Sequence, residues 1–184
     1  MGTHGAAHPD RRVLGSVAER TIRTAPVPVV TVNEGAALAS TFDTILVPTD
    51  GSDGAMAAAA HAVDIAAAVD VSVHVVHVVP STVVDDLSGT ASDLEERGRQ
   101  ALEAVVDVAR ESNVAPVEAS LLTGVPHRAI TDFVGSHDVD LVVMGTHGRS
   151  GVSRHFLGSV TERVLRRVDV PVVAVSEHPS GDGG

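Results

Sequence analysis

Residues 145–159 read Gly-Thr-His-Gly-Arg-Ser-Gly-Val-Ser-Arg-His-Phe-Leu-Gly-Ser. Gly145, Gly148 and Gly158, followed by Ser159, give the spacing G-x2-G-x9-G-S. The stretch lies between a short apolar strand and a helix. Small residues in that position let several backbone N–H groups converge on one point, and the helix dipole adds positive potential there. Phosphate binding through the backbone is the chemistry this suits. A conventional P-loop is excluded, because the chain contains no lysine. Capping is the competing explanation, since Ser159-x-x-Glu162 and Ser16-x-x-Glu19 both have the form of a capping box. The glycines are harder to explain as capping.

Asp50 is the second polar candidate. It sits at the tip of the apolar strand Asp43–Thr49, within Thr49-Asp50-Gly51. Open α/β sheets bind ligands at the carboxyl ends of strands, where the strand order reverses. With the strand order 3-2-1-4-5, that point lies between the first and fourth strands. Thr49-Asp50-Gly51 and Gly145-Thr146-His147-Gly148 then face one crevice. Asp50 would accept hydrogen bonds from a ligand's hydroxyls or amino group; alternatively, Asp50 or Asp53 caps the following helix. Arg149 and Arg154 could reach a terminal phosphate or act as local counter-charges. His147 and His155 lie in the same loop, with no Ser/His/Asp arrangement around them. His74 and His77, three apart on a strand, point to opposite faces, which argues against a joint metal site.

The elements that must position these residues alternate strand and helix over 43–176. Strands are expected at Asp43–Thr49, Val71–Val79, Val117–Leu122, Val139–Met144 and Val170–Val175. Helices are expected at Asp53–Ala68, Ser92–Glu111, Pro126–Val134 and Leu157–Val168. In the first helix, Met56, Ala59, Ala60, Val63 and Ala67 share one face, and Ser92-x-x-Glu95 reads as a capping box for the second. Branched apolar strands separated by amphipathic helices indicate an α/β protein: a doubly wound five-stranded parallel sheet with helices on both faces. Residues 80–91 read as a loop and 177–184 as a polar, mobile tail.

Composition narrows the function. The 184 residues are 43% hydrophobic, largely Ala and Val, with three Phe and no Trp or Tyr. Small branched side chains suit a parallel sheet covered by helices. Against 24 acidic residues stand 13 arginines, for a net charge of −11. Nucleic acid and anionic membrane are therefore poor partners. An acidic, lysine-free composition suggests a high-salt cytoplasm. No cysteine is present, which excludes disulfides and thiolate metal sites. Without a long apolar run or a leader, the chain reads as soluble and cytoplasmic.

The glycine stretch occurs twice. Met1-Gly-Thr-His-Gly matches Met144-Gly-Thr-His-Gly, Leu14-Gly-Ser-Val matches Leu157-Gly-Ser-Val, and Val27-Pro-Val-Val matches Val170-Pro-Val-Val. The register is constant over residues 1–32, and about half the positions are identical. This front piece reads as a loop, a helix from Leu14 to Arg23 and a strand from Val27 to Val32, with 33–42 a linker. It is too small to form a domain alone. Exposed apolar edges seek partners, so Val27–Val32 is expected to pair antiparallel with Val170–Val175, within the chain or swapped with a neighbour. The helix should lie against that junction through Leu14, Val17 and Ile22.

The chain resembles the universal stress protein family. The residues that carry the likeness are Ile45-Leu-Val-Pro-Thr-Asp-Gly-Ser52, His77-Val78, Met144-Gly-Thr-His-Gly148, Gly158-Ser159-Val160-Thr161 and the closing Val170-Pro-Val-Val-Ala-Val175. It covers 43–176 in full and 1–32 as the end of a second, truncated copy. A start within a longer tandem gene, or a true truncation, would explain the front piece. The resemblance implies a dimer through the fifth strand and ATP binding, with or without Mg, in a regulatory role linked to stress. In that reading Asp50 meets the adenine or ribose end, and Val73 lines the adenine pocket with Pro48 and Thr49. Gly145, Gly148, Gly158 and Ser159 hold ribose and phosphates, with Met144, His147, Val160 and Thr161 beside them. Binding rather than catalysis is implied. The alternatives are a dimerising interaction module without nucleotide and a weak nucleotide hydrolase. A hydrolase normally needs cations or metal ligands at the phosphates.

Overall fold

The computed structural model describes residues 14–34, 36, 42–81, 90–114, 116–148 and 157–176. Arg149, Arg154, His155, the 177–184 tail, the first copy of the glycine stretch, and parts of the linker and of the 80–91 loop lie outside the described residues. The elements in order are α1 (Ser16–Thr24), β1 (Val29–Thr31), β2 (Thr44–Pro48), α2 (Asp53–Val69), β3 (Ser72–Pro80) and α3 (Thr90–Glu111). Then come β4 (Val117–Gly124), α4 (Pro126–Ser136), β5 (Leu141–Gly145), α5 (Ser159–Leu165) and β6 (Val172–Val175).

One six-stranded sheet runs β1-β6-β5-β2-β3-β4. The five strands β2 to β6 are parallel and follow the expected order 3-2-1-4-5. These five strands are the sheet expected for residues 43–176, and β1 makes a sixth. It adds antiparallel to the β6 edge of the same chain, with Val29 opposite Ala174, Val30 opposite Val173 and Thr31 opposite Val172.

Alternation along each strand divides the core in two. Leu46, Val76, Val142 and Met144 face α1, α4 and α5, meeting Ile22, Ile130, Phe133 and Leu165. Ile45, Val47, Val73, Val75 and Val143 face α2 and α3, meeting Ala58, Ala62, Val63 and Val105. A parallel sheet covered on both sides needs apolar residues on both faces, which is why its strands read as nearly continuous valine.

Three local expectations are corrected. The buried stripe of α2 is Ala55, Ala58, Ala59, Ala62, Val63 and Ala66, while Ala60 and Ala67 are exposed and Met56 is only partly buried. Neither Asp50 nor Asp53 caps α2: Ser52 does, its Oγ accepting from the Ala55 N–H at 3.2 Å. The boxes at Ser16 and Ser159 do not form, because Gly15 and Gly158 occupy the N-cap positions and no side chain caps either helix. Glu19 and Glu162 instead pair one turn ahead with Arg23 and Arg166. Ser92 stands inside α3, which already begins at Thr90.

The N-terminal helix is anchored by Leu14, Ala18 and Ile22, spaced four apart on one face and all buried. Val17, expected in that contact, is 71% exposed, and Ala18 takes its place.

The two strand histidines diverge as expected. His74 packs edge-on against Phe133 of α4 at 4.6 Å and bonds Ser120 Oγ at 3.0 Å. Burial holds its pKa below the ordinary 6.5; Glu118 opposes this and His137 adds to it. The folded protein therefore resists taking up a proton there. Stability is complete above pH 6.5 and falls as the pH drops towards the folded value, because the unfolded chain binds more protons. His74→Gln is expected to flatten the acid side of the stability curve below pH 6.5, read by urea titration at each pH. An unchanged slope would place the acid sensitivity elsewhere.

Candidate functional site

β2 is the hinge of the topology. It pairs with β3 on one side and β5 on the other. The chain leaves β2 into α2 on one face and leaves β5 towards α5 on the other. The loops at the two strand tips therefore part, and a crevice opens between them. It holds a cavity of about 380 Å³, within the range of roughly 300–1,000 Å³ usual for small-molecule sites.

Pro48, Thr49 and Asp50 supply the β2 wall. Thr49 is buried; its Oγ accepts from the Gly51 N–H at 3.1 Å, which turns the chain tightly after the strand. Asp50 Oδ1 accepts from the Ser52 N–H at 3.0 Å. Its other oxygen, Oδ2, lies where Gly148 leaves room: a Cβ on Gly148 would stand 2.5 Å from it. The two loops are thus in contact through the one carboxylate that lines the cavity among the described residues.

The opposite wall is Met144, Gly145, His147 and Gly148, continued by Gly158, Ser159, Val160 and Thr161 at the start of α5. Gly158 N–H donates to the Thr146 carbonyl at 2.7 Å, and Thr161 Oγ donates to the Gly145 carbonyl at 2.8 Å. These bonds seat α5 against the end of β5. Gly145 has a packing role of its own, since a Cβ there would lie 2.8 Å from the Gly54 carbonyl oxygen of α2. Ser159 is exposed and its hydroxyl caps nothing. Nδ1 of His147 lies 2.9 Å from Thr146 Oγ, while its Nε2 is buried without a hydrogen-bond partner among the described residues. A buried ring nitrogen left unpaired is costly, and a ligand in the cavity this ring lines could satisfy it.

Of the expected site residues that are described, all line this cavity except Val73. That residue is buried between the sheet and the α2–α3 layer, level with Ile45 near the start of β2. The register places Val76 beside Pro48, so the residues of β3 that reach the crevice are Val76, His77, Val78 and Pro80. His77 Nδ1–H donates to the Thr49 carbonyl at 2.9 Å, tying β3 to the turn that carries Asp50. Sequence reasoning also missed Leu94 and Arg97 on α3 and Pro126 and Ile130 on α4. They join the wall only through the packing of helices far apart in sequence, and no spacing announces them.

His127, next to Pro126, is held below its ordinary pKa by burial first and then by Arg167, Arg163 and Arg128. A guanidinium of Arg163 lies 3.5 Å from its Nδ1.

A parallel sheet whose order reverses beneath a cavity is a doubly wound α/β sheet, the class in which ligands are generally bound at the strand tips. The chain belongs to the universal stress protein family, whose profile matches residues 1–33 and 41–176. It is 37% identical over 142 residues to the universal stress protein MJ0531 of Methanocaldococcus jannaschii, covering 74% of this chain and 83% of that protein. A universal stress protein solved in complex with cAMP is similar in structure, with a TM-score of 0.59 and 26% identity over 76% of this chain and 100% of that one. A protein of Pseudomonas aeruginosa, PA1789, matches 96% of this chain with 61% of its own, at a TM-score of 0.68. At 22% identity that last likeness concerns the fold alone. Among the described residues no helix is long and apolar enough to cross a membrane.

Proposed function

We propose that the protein binds ATP in the crevice between β2 and β5 and acts as a regulator in a stress response, holding the nucleotide rather than turning it over. The carrying observation is the meeting of Asp50 with Gly148 beside the buried Nε2 of His147, which has no partner among the described residues. Carboxylate, bare backbone and ring nitrogen suit, in turn, a ribose or amino group, phosphate oxygens, and a further polar group of the ligand. The relative solved with cAMP supports an adenine nucleotide as the ligand class. Among the described residues no cluster of three metal-ligating side chains exists, so magnesium accompanying ATP would take most of its ligands from the phosphates and water.

In this reading residues 43–176 are a complete domain and 1–32 the helix and strand of a partial second one, joined by 33–42 and followed by a tail at 177–184. The protein works in the cytoplasm, without nucleic acid or membrane as partner.

Calorimetric titration with ATP, AMP and cAMP tests the ligand class. Asp50→Ala is expected to weaken ATP binding by about 1.5–3 kcal/mol, as for a hydrogen bond to a charged group. Thermal stability should change little, because the helix cap is Ser52. Full affinity in that variant would remove Asp50 from the site. Absence of any nucleotide affinity in the parent protein would favour an interaction module instead, and steady phosphate release lost on changing a site residue would favour a hydrolase.

A further inference from the structure

Arg97 of α3 is the one arginine on the cavity wall among the described residues. The helix around it is rich in acid, but its guanidinium is left over. Arg99 holds both Glu95 and Glu96, at 3.1 and 3.6 Å. Asp93 stands one turn before Arg97, the order that favours an ion pair on a helix. Even so, Arg97 has neither an ion pair nor a hydrogen bond among the described residues. In a chain of net charge −11, a guanidinium that lines a cavity without a partner points to a ligand.

Its place is fixed from the Asp50 turn outward. His77 is bonded to the Thr49 carbonyl at 2.9 Å, one residue before Asp50. α3 lies directly on that imidazole: a Cβ on Gly98 would stand 2.7 Å from His77 Cδ2 and 2.7 Å from Leu121 Cδ1. Gly98 thus lets α3 settle onto β3 and β4, and Arg97, the residue before it, is carried to the cavity. The strand order β5-β2-β3 lays out the wall from one side to the other. The glycine residues stand at β5, Asp50 in the middle at the tip of β2, and Val78, Pro80, Leu94 and Arg97 on the side of β3 and α3. With phosphates on the glycine wall and the ribose at Asp50, the base comes to the β3–α3 side. Val78, Pro80 and Leu94 offer it an apolar slot, and no Phe lines the cavity among the described residues. The flat group left to lie on a base there is a guanidinium, which stacks on aromatic faces.

We propose that Arg97 is the base-side contact of the nucleotide, its guanidinium lying flat on the purine ring and closing the end of the crevice away from the phosphates. The proposal rests on the ATP reading above and adds to it the residue that holds the base. It makes Arg97 a specificity-determining residue of an unusual kind for a cation in an anion-binding crevice. The guanidinium selects for a flat heteroaromatic ring, and the phosphates are left to the backbone of the glycine wall. A nucleoside without any phosphate keeps the whole of this contact.

Calorimetric titration of ATP, AMP and adenosine into the parent protein, Arg97→Ala and Arg97→Lys tests this. Arg97→Ala is expected to weaken all of these ligands by one common factor, about threefold to thirtyfold, the span of a cation–π contact from exposed to desolvated. Arg97→Lys should recover little of the loss, because an ammonium has no flat face to lay on the ring. Thermal melts of both variants should match the parent, since Arg97 is exposed and has no partner to lose among the described residues. A large loss for ATP with adenosine unaffected would move Arg97 to the phosphates and overturn the base contact. Full recovery in Arg97→Lys would mean that charge alone is at work and would overturn stacking. Parent-like affinities in Arg97→Ala would remove the residue from the site while leaving the ATP reading in place. A parent protein that binds none of these ligands would sink the ATP reading itself, and the base contact with it.

Discussion

Gly148→Val is expected to abolish ATP binding while the protein stays folded. The Cβ of any side chain there would lie 2.5 Å from Asp50 Oδ2, so carboxylate and valine cannot both keep their places. Asp50 is also held by the Ser52 N–H through Oδ1, at 3.0 Å. The carboxylate must therefore swing out, or the 145–148 loop must lift away from β2. Either movement separates the groups that would meet the nucleotide. Losing the charged hydrogen bond alone accounts for up to ~3 kcal/mol, about a hundredfold in affinity, and the added bulk takes more. The effects of Asp50→Ala and Gly148→Val should fall short of additivity, since removing the carboxylate removes the clash. Calorimetry on the two single variants and the double variant decides this. Unchanged affinity in Gly148→Val would take the glycine loop out of the site.

Gly145→Val should act on the fold instead. The three atoms nearest its Cβ would all be backbone of α2: the Gly54 carbonyl oxygen at 2.8 Å, its carbon at 2.9 Å and the Ala55 nitrogen at 3.2 Å. Backbone in a packed helix has nowhere to turn, so α2 must rise off β5. Overpacking of this kind costs about 1–3 kcal/mol or more, which lowers Tm by roughly 2–4 °C per kcal/mol in a chain of this size. Gly135 near the end of α4 is the control, with nothing within 4 Å of a Cβ, so Gly135→Ala should be neutral or stabilising by up to ~1 kcal/mol. Parallel thermal melts test the pair. Equal effects at the two glycines would mean that the closeness of α2 to β5 carries no energetic weight.

The fold was legible because its inner strands are rich in β-branched residues and are buried on both faces, although the edge strand β4 is neither. The crossing of β1 onto β6 was legible for a different reason: a repeated strand sequence implies a repeated edge. The inward face of α2 was not. Alanine fills its buried and exposed sides alike, so apolar spacing carries little contrast, and Ala60 was expected inside while Ala58 is there. Val73 failed through height. Strand alternation tells which face a residue takes but not how far along the neighbour it stands, and that register comes from the pairing of Pro48 with Val76. The capping boxes failed because a glycine bonded elsewhere can take the N-cap, as Gly158 does while its N–H is held by Thr146.

The two faces of the sheet differ in what mutation can do to them. The α4–α5 side packs Leu, Ile, Phe and Met among its valines, and loses energy when a side chain shrinks. The α2 contact is made by Ala58, Ala59, Ala62 and Ala66, with the Gly54–Gly145 approach at its head. Those side chains have one methyl or none to give up, so random change there harms mainly by adding atoms. Over generations the first face can drift among large residues by exchanging volume with its neighbours. The second is held near a lower bound of size, so substitution there runs in one direction, away from fit. The helix that leads out of the Asp50 turn is thus confined by how few residues are small enough to replace its own.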